Sequence, residues 1–187
     1  MHIHAKKSLG QNFLKSRSVV FKMLEAAKVT AEDTVVEIGP GKGILTRALV
    51  EKAGRVIAIE KDDRLIEYLQ NEFRDAIEKG QLTLIHGDIL DLNLESLKLK
   101  ARSYKLIANI PYYITGQFLR KFLEAKLQPT VAVVMLQKEV TDRIIARDGK
   151  ESILSMSVKA YGRPSKVAKV PAKFFSPPPN VDSAILL

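Results

Sequence analysis

Thr34-Val35-Val36-Glu37-Ile38-Gly39-Pro40-Gly41-Lys42-Gly43 is the stretch that decides the fold of this chain. Its first half is a short apolar run, and its second half sets three glycines around one proline and one lysine. The residues that follow, Ile44, Leu45, Ala48 and Leu49, recur at helical spacing. Strand, glycine loop and helix in that order form the first turn of a doubly wound α/β sheet, where glycines let the backbone approach a ligand closely. The loop is not the phosphate-binding loop of nucleotide hydrolases. Lys42 is followed by glycine, and no glycine stands where that motif needs its first one.

The next two apolar runs extend the pattern. Arg55-Val56-Ile57-Ala58-Ile59 ends in Glu60, about 20 residues after the loop, where a strand-tip carboxylate can accept both hydroxyls of a ribose. A helical stretch from Arg64 to Ile77 precedes Leu82-Thr83-Leu84-Ile85-His86, which ends in Gly87-Asp88. Asp88 thereby stands at a third strand tip, placed to accept from the amino group of an adenine. The alternative is that Glu60 and Asp88 only cap the helices after them.

A fourth run, Leu106-Ile107-Ala108, stops abruptly at Asn109-Ile110-Pro111-Tyr112, with Tyr113 behind it. An apolar run ending in an amide, a proline and aromatics is a strand that presents side chains at a sheet edge. The Asn109 side-chain oxygen and a neighbouring main-chain carbonyl offer two acceptors, which suit the two N–H groups of an exocyclic base amine. Pro111 fixes φ and removes a competing donor. Tyr112 offers a flat face to an unstacked base, a contact worth roughly 1–3 kcal/mol in single-stranded binding. A proline turn with buried tyrosines is the plainer alternative.

A chain of 187 residues with 46% hydrophobic content fills one core and is too short for two ordinary domains. It has no cysteine, so neither disulfide nor thiolate chemistry is available, and His2, His4 and His86 are too scattered to suggest a metal centre. No apolar window reaches a membrane span, and the amino terminus has no leader pattern, so an intracellular soluble protein is expected. The net charge of +9 is unevenly placed. Residues 1–28 carry six Lys or Arg against Glu25 alone, and residues 150–187 carry six against Glu151 and Asp182, while the middle balances. Two basic ends beside a neutral centre suggest surfaces that meet a polyanion; solvated lysines are the alternative.

The remaining segments follow local rules. Lys6 to Leu14 is a basic arm with a glycine break, pinned by Phe13 and Leu14. Ser16 or Ser18 can cap a helix carrying Val19, Val20, Met23, Leu24 and Ala27 at helical spacing. Thr115 to Ala125 reads as a helix, Pro129 to Leu136 as a strand buried on both faces, and Lys138 to Arg147 and Ser152 to Tyr161 as helices around a turn at Asp148-Gly149. Ser176-Pro177-Pro178-Pro179 is neither helix nor inner strand, hence a rigid loop that can hold Phe174 and Phe175 near a site.

Six motifs in one order carry a resemblance: Gln11-Asn12-Phe13-Leu14; Glu37-Ile38-Gly39-Pro40-Gly41; Glu60; Gly87-Asp88; Asn109-Ile110-Pro111-Tyr112 with Leu136-Gln137-Lys138-Glu139-Val140; and Phe175-Ser176-Pro177-Pro178-Pro179-Asn180-Val181-Asp182-Ser183-Ala184. Together they resemble the KsgA family of ribosomal RNA adenine dimethyltransferases, over essentially the whole chain. The resemblance implies an α/β class I methyltransferase, Rossmann-like, with a central, mostly parallel seven-stranded sheet flanked by helices. It also implies a reaction: S-adenosyl-L-methionine gives methyl groups to N6 of two adjacent adenosines in a hairpin loop near the 3′ end of small-subunit rRNA, leaving S-adenosyl-L-homocysteine, with no metal.

Carried over residue by residue, Gln11, Asn12, Leu14, Gly39, Gly41, Glu60, Lys61, Asp88, Ile89 and Asn109 would hold the cofactor. Asn109, Ile110, Pro111 and Tyr112 would carry catalysis, Tyr112 and Phe175 would stack on the target base, and Lys6, Lys7, Lys138, Arg143 and Arg147 would meet RNA. The implied setting is a cytoplasmic monomer that acts on the immature 30S subunit during its biogenesis. Residues 1–187 would form the catalytic domain, with 1–15 as a basic arm and without the small helical domain that family members carry after the last strand. Tyr113 departs from the smaller polar residue of many relatives. Two other functions are weighed: an erythromycin-resistance-type enzyme acting on large-subunit rRNA, and a ribosome-assembly factor without turnover. A nicotinamide dehydrogenase shares the glycine loop but leaves Asn109 to Tyr112 unexplained.

Overall fold

Each apolar run of the sequence becomes a strand because the sheet it joins is covered on both faces. The computed structural model describes residues 3–146 and 150–187. In chain order the strands are β1 (Phe13–Leu14), β2 (Thr34–Ile38), β3 (Arg55–Glu60), β4 (Leu82–His86), β5 (Lys105–Asn109), β6 (Val131–Gln137), β7 (Lys166–Val170), β8 (Phe175–Ser176) and β9 (Ser183–Leu186). The helices are α1 (Arg17–Ala27), α2 (Ile44–Lys52), α3 (Asp63–Glu72), α4 (Arg74–Glu78), α5 (Thr115–Leu123), α6 (Lys138–Ile145) and α7 (Ile153–Tyr161).

Seven strands form one sheet in the order β4-β3-β2-β5-β6-β9-β7. The first five run parallel, and β9 lies antiparallel between β6 and β7. Alternate side chains feed two cores. Val35, Val56, Ala58, Ile107 and Val133 pack on the face covered by α1 and α2. Val36, Ile57, Ile59, Leu106 and Val134 pack on the face where α5 contributes Phe118 and Phe122. The chain builds outward from β2 in both directions, so the order reverses between β2 and β5. That reversal opens a crevice beyond the carboxyl ends of the strands.

The structure departs from the sequence expectations in three places. The helix expected over 64–77 breaks at Phe73 (φ −116°, ψ 25°) into α3 and α4. Phe73 turns inward against Gly43, where a Cβ would stand 2.6 Å from the Phe73 ring. The strand β7, not anticipated, is an edge strand whose Lys166 and Lys169 reach solvent. Ser176 is not purely loop: β8 pairs antiparallel with β1, joining the amino-terminal arm to the proline run. Arg147 and the turn expected at Asp148-Gly149 lie outside the described residues.

Candidate active site

The carboxyl ends of β2, β3, β4 and β5 place Gly39, Glu60, Asp88 and Asn109 around one cleft, with the amino-terminal arm as its outer wall. Gly39 (φ 70°) and Gly41 (φ 58°) occupy the left-handed region, which glycine enters without strain. A Cβ at Gly39 would stand 3.1 Å from the Asn109 carbonyl oxygen, and one at Gly41 would stand 3.1 Å from the Phe13 ring. The loop is therefore pressed between the β5 tip and the arm.

Glu60 is 6% exposed, and its carboxylate is engaged on several sides. Oε2 accepts from the Gly41 amide (3.1 Å), and Oε1 accepts from the amides of Lys61 and Asp62 (2.9 Å each). Burial raises its pKa, and the three amides oppose that shift. A carboxylate has about four lone-pair sites, so one acceptor position is left for a ligand hydroxyl. Asp88 accepts from the Leu90 amide (2.9 Å) and pairs with the Lys61 ammonium (2.6 Å). Burial works against its charge, but Lys61 and the Leu90 amide outweigh that, and its pKa lies below the ordinary value. Helix-end capping, the alternative weighed for both carboxylates, thus describes part of the bonding of each. Ile89 follows as a buried wall.

Gln11 and Asn12 are largely committed within the protein. The Gln11 amide accepts from Lys6 N (2.7 Å) and donates to Asp62 Oδ2 (2.8 Å); Asn12 donates to the Gly10 carbonyl (3.2 Å). Gln11 thus clasps the arm to the start of α3, and Leu14 is a core residue paired across to Phe175. Asp62, which holds this clasp, was not singled out from the sequence. Its signal is the helix-cap position before Asp63-Arg64, and the bidentate Arg64 holds its pKa well below the usual carboxylate range.

Asn109 differs from its neighbours: among the described residues its side-chain amide has no hydrogen-bond partner, although it is half-buried at the β5 tip and lines the cleft. Ile110 is buried, and Pro111 (φ −58°) opens a short turn over Tyr112–Ile114. Tyr112 is half-buried and its hydroxyl meets Ser183 Oγ at 2.7 Å, while Tyr113 is 62% exposed beside Gly10. Phe175 is 2% exposed, a core residue whose ring also lines the cleft.

Glu37, which the sequence marks only as part of a motif, is the most unusual group nearby. It sits one residue before the end of β2, with 0% exposure and, among the described residues, no hydrogen-bond partner for either oxygen. Burial pushes its pKa up to about 8; the nearby Thr46 hydroxyl favours the charge, and Glu60 disfavours it. Of the basic residues, Lys6 and Lys7 are exposed on the arm. Lys138 pairs with Asp142 (2.6 Å) and Arg143 with Glu139 (2.7 Å), both within α6, so their charges are partly matched internally. Lys42, with its ammonium 5.0 Å from the Phe13 ring centre, stands at the cleft and was not anticipated as part of it. Among the described residues no group of three His, Asp or Glu side chains is placed to hold a metal ion.

The family model for ribosomal RNA adenine dimethylase matches residues 2–186. The chain belongs to that family. Ribosomal RNA small subunit methyltransferase A of Dehalococcoides mccartyi (strain ATCC BAA-2100) is 49% identical over 184 residues, covering 98% of this chain and 62% of that protein. The chain therefore spans just under two thirds of the length of such relatives. Among solved structures, a dimethyladenosine transferase from Plasmodium falciparum superposes with a TM-score of 0.80 at 32% identity, covering 93% of this chain and 62% of that one. The 23S rRNA methyltransferase ErmE superposes with a TM-score of 0.81 at 28% identity, covering 94% and 68%. The adenine dimethylase sheet is the class I methyltransferase architecture, as the resemblance implied.

Proposed function

We propose that this chain transfers methyl groups from S-adenosyl-L-methionine to N6 of two adjacent adenosines in the 3′-terminal hairpin loop of small-subunit rRNA, giving N6,N6-dimethyladenosine. The observation that carries this is the unpartnered Asn109 amide, held beside Pro111 and Tyr112 and opening into the same cleft as Glu60 and Asp88. The cleft fits the cofactor by its chemistry: left-handed glycines at Gly39 and Gly41 that line it without side chains, one free acceptor position on Glu60, and acceptor capacity remaining on Asp88.

When bound, the cofactor would supply a methyl on a sulfonium, so that N6 takes the methyl by direct displacement, the breaking bond's electron pair returns to sulfur, and the proton N6 gives up leaves to solvent. The chain's residues need only hold the amine. Asn109 Oδ1 and the Ile110 carbonyl accept its two N–H groups, Tyr112 takes one face of the base, and Phe175, a core residue lining the cleft, backs the wall on the other side. Glu60 would accept from the ribose, and Asp88, Lys61 and Ile89 would surround the cofactor adenine. Gln11, Asn12 and Leu14 cover the methionine end, Gln11 by fixing the arm. Positioning of this kind supplies up to about 7–11 kcal/mol in well-oriented systems. Residues 1–187 act as the methyltransferase catalytic domain, with residues 1–15 as a basic arm.

Lys6, Lys7, Lys138, Arg143 and Arg147 meet the RNA of the immature 30S subunit, in the cytoplasm and as a monomer. No helix among the described residues is long and apolar enough to cross a membrane. The test is methyl transfer from labelled S-adenosyl-L-methionine to unmethylated small subunits, with large subunits and naked rRNA in parallel, followed by nucleoside analysis. Dimethyladenosine confined to the small subunit is the expected result. Label on the large subunit would transfer the assignment to the erythromycin-resistance reaction, and cofactor binding without any transfer would favour an assembly role.

A further inference from the structure

We infer that Ser183 is a positioning residue for the reaction, fixing where the long axis of the Tyr112 ring points; this rests on the function proposed above. The Tyr112 hydroxyl meets Ser183 Oγ at 2.7 Å, across 71 positions of sequence. The two ends of that bond are unlike. Tyr112 belongs to a three-residue turn at the cleft and is half-buried. Ser183 is fully buried at the first position of β9, where its backbone faces Gln137 on one side and Val170 on the other.

The residue before it, Asp182, is tied down three times over. Its carbonyl accepts from Lys138 N (2.9 Å), and its carboxylate accepts from Ala172 N (3.0 Å) and pairs with Lys169 (2.9 Å). Ser183 is thus a fixed post and Tyr112 the adjustable ring. A tyrosine turns about two side-chain bonds; its para oxygen lies on the axis of the second, so anchoring that oxygen fixes the first torsion and with it the position of the ring at the cleft. A ring held in this way stands at a fixed position for a base, where a displacement of about 1 Å can cost on the order of 100-fold in rate. The bond also links two segments that are far apart in sequence, the Asn109–Tyr112 turn and the strand that follows the proline run.

The experiment compares Ser183→Ala, Tyr112→Phe and the double variant with the wild-type chain. It measures single-turnover methyl transfer to unmethylated small subunits, cofactor dissociation constant and thermal midpoint. Each single variant breaks the bond and keeps the ring. Methyl transfer is expected to slow by about tenfold or more in each, with cofactor affinity unchanged. The double variant should be no slower than the worse single one, because all three lack the same bond. It should also melt no lower than either single variant, since neither hydroxyl is then left buried alone. Wild-type rates in both single variants overturn the inference, as do losses that multiply in the double variant. A wild-type chain that binds cofactor and transfers no methyl overturns the function proposed above and this inference with it; an active wild type with unaffected variants overturns this inference alone.

Discussion

Replacing Glu37 by Gln should remove a pH dependence of stability built into the first strand of the central sheet. The folded carboxyl titrates at about 8 against an ordinary 4.5, because burial penalises its charge and neither oxygen has a hydrogen-bond partner. Between those two values the folded chain holds a proton that the unfolded chain has released. Stability therefore falls as pH rises through that window and levels off above the folded pKa. Each pH unit within it costs about 1.4 kcal/mol. From pH 6 to 7.5 the wild type should lose about 2 kcal/mol on this account. For a chain of this size that is a fall in Tm of roughly 4–8 °C. The Gln variant keeps the shape of the side chain and has no proton to lose. The assay is Tm by calorimetry or circular dichroism for both proteins from pH 5.5 to 8.5. Titrating groups that do not act on Glu37 contribute equally to both curves, so the difference between the curves reports Glu37 together with its coupling to Glu60. The gap between the curves should widen from the lowest pH measured up to about pH 8 and level off there. Parallel curves would refute the picture of a carboxyl kept neutral by burial.

Asn109→Ala should lower single-turnover methyl transfer on the order of 100-fold while changing cofactor affinity by less than about threefold, and an unchanged rate would remove Asn109 from the reaction. Gly39→Ala places a side chain at φ 70° and a Cβ 3.1 Å from the Asn109 carbonyl, so a loss of about 1–2 kcal/mol in unfolding free energy and weaker cofactor binding by calorimetry are expected. Lys61→Met removes the ammonium that holds the Asp88 pKa down. Cofactor affinity measured against pH should then fail at a higher pH on the acid side, while stability at neutral pH changes by less than about 1 kcal/mol because the lysine is half-exposed.

The parallel strands were legible in sequence because they are buried on both faces, and a continuous apolar run as short as Val133 to Leu136 suits a doubly covered strand better than a helix with one wet side. The edge strand β7 was not, because Lys-Val-Ala-Lys-Val carries lysines that protect an edge and look like loop. The break at Phe73 was equally silent: no glycine or proline marks it, and its cause is a ring packing on Gly43, thirty residues earlier in sequence. The positions of Glu60, Asp88 and Asn109 followed from where strands end. Their bonding did not, since each partner depends on which strand tips become neighbours. Glu60 holds the Gly41 amide and Asp88 the Lys61 ammonium, and neither contact leaves a local mark in the sequence.

The amino-terminal arm shows how much of the cleft lies outside the sheet logic. Gln11 donates to Asp62, two residues after Glu60; Phe13 packs under Gly41; Leu14 pairs with Phe175; and Lys15 N donates to the Phe174 carbonyl (2.8 Å). Four successive contacts thus join the β3 tip, the glycine loop and the segment before the prolines. A parallel sheet can line one side of a crevice with strand tips, but it cannot roof it. Here the roof is a segment that precedes the first strand of the sheet, held by one two-residue antiparallel pair and one side-chain amide. Such a short pairing is stable only through what it packs against, which here is the loop and the strand tips themselves. The glycine loop's conformation and the arm's seating are for that reason one arrangement: a side chain at Gly41 would strain the loop and also press against the Phe13 ring.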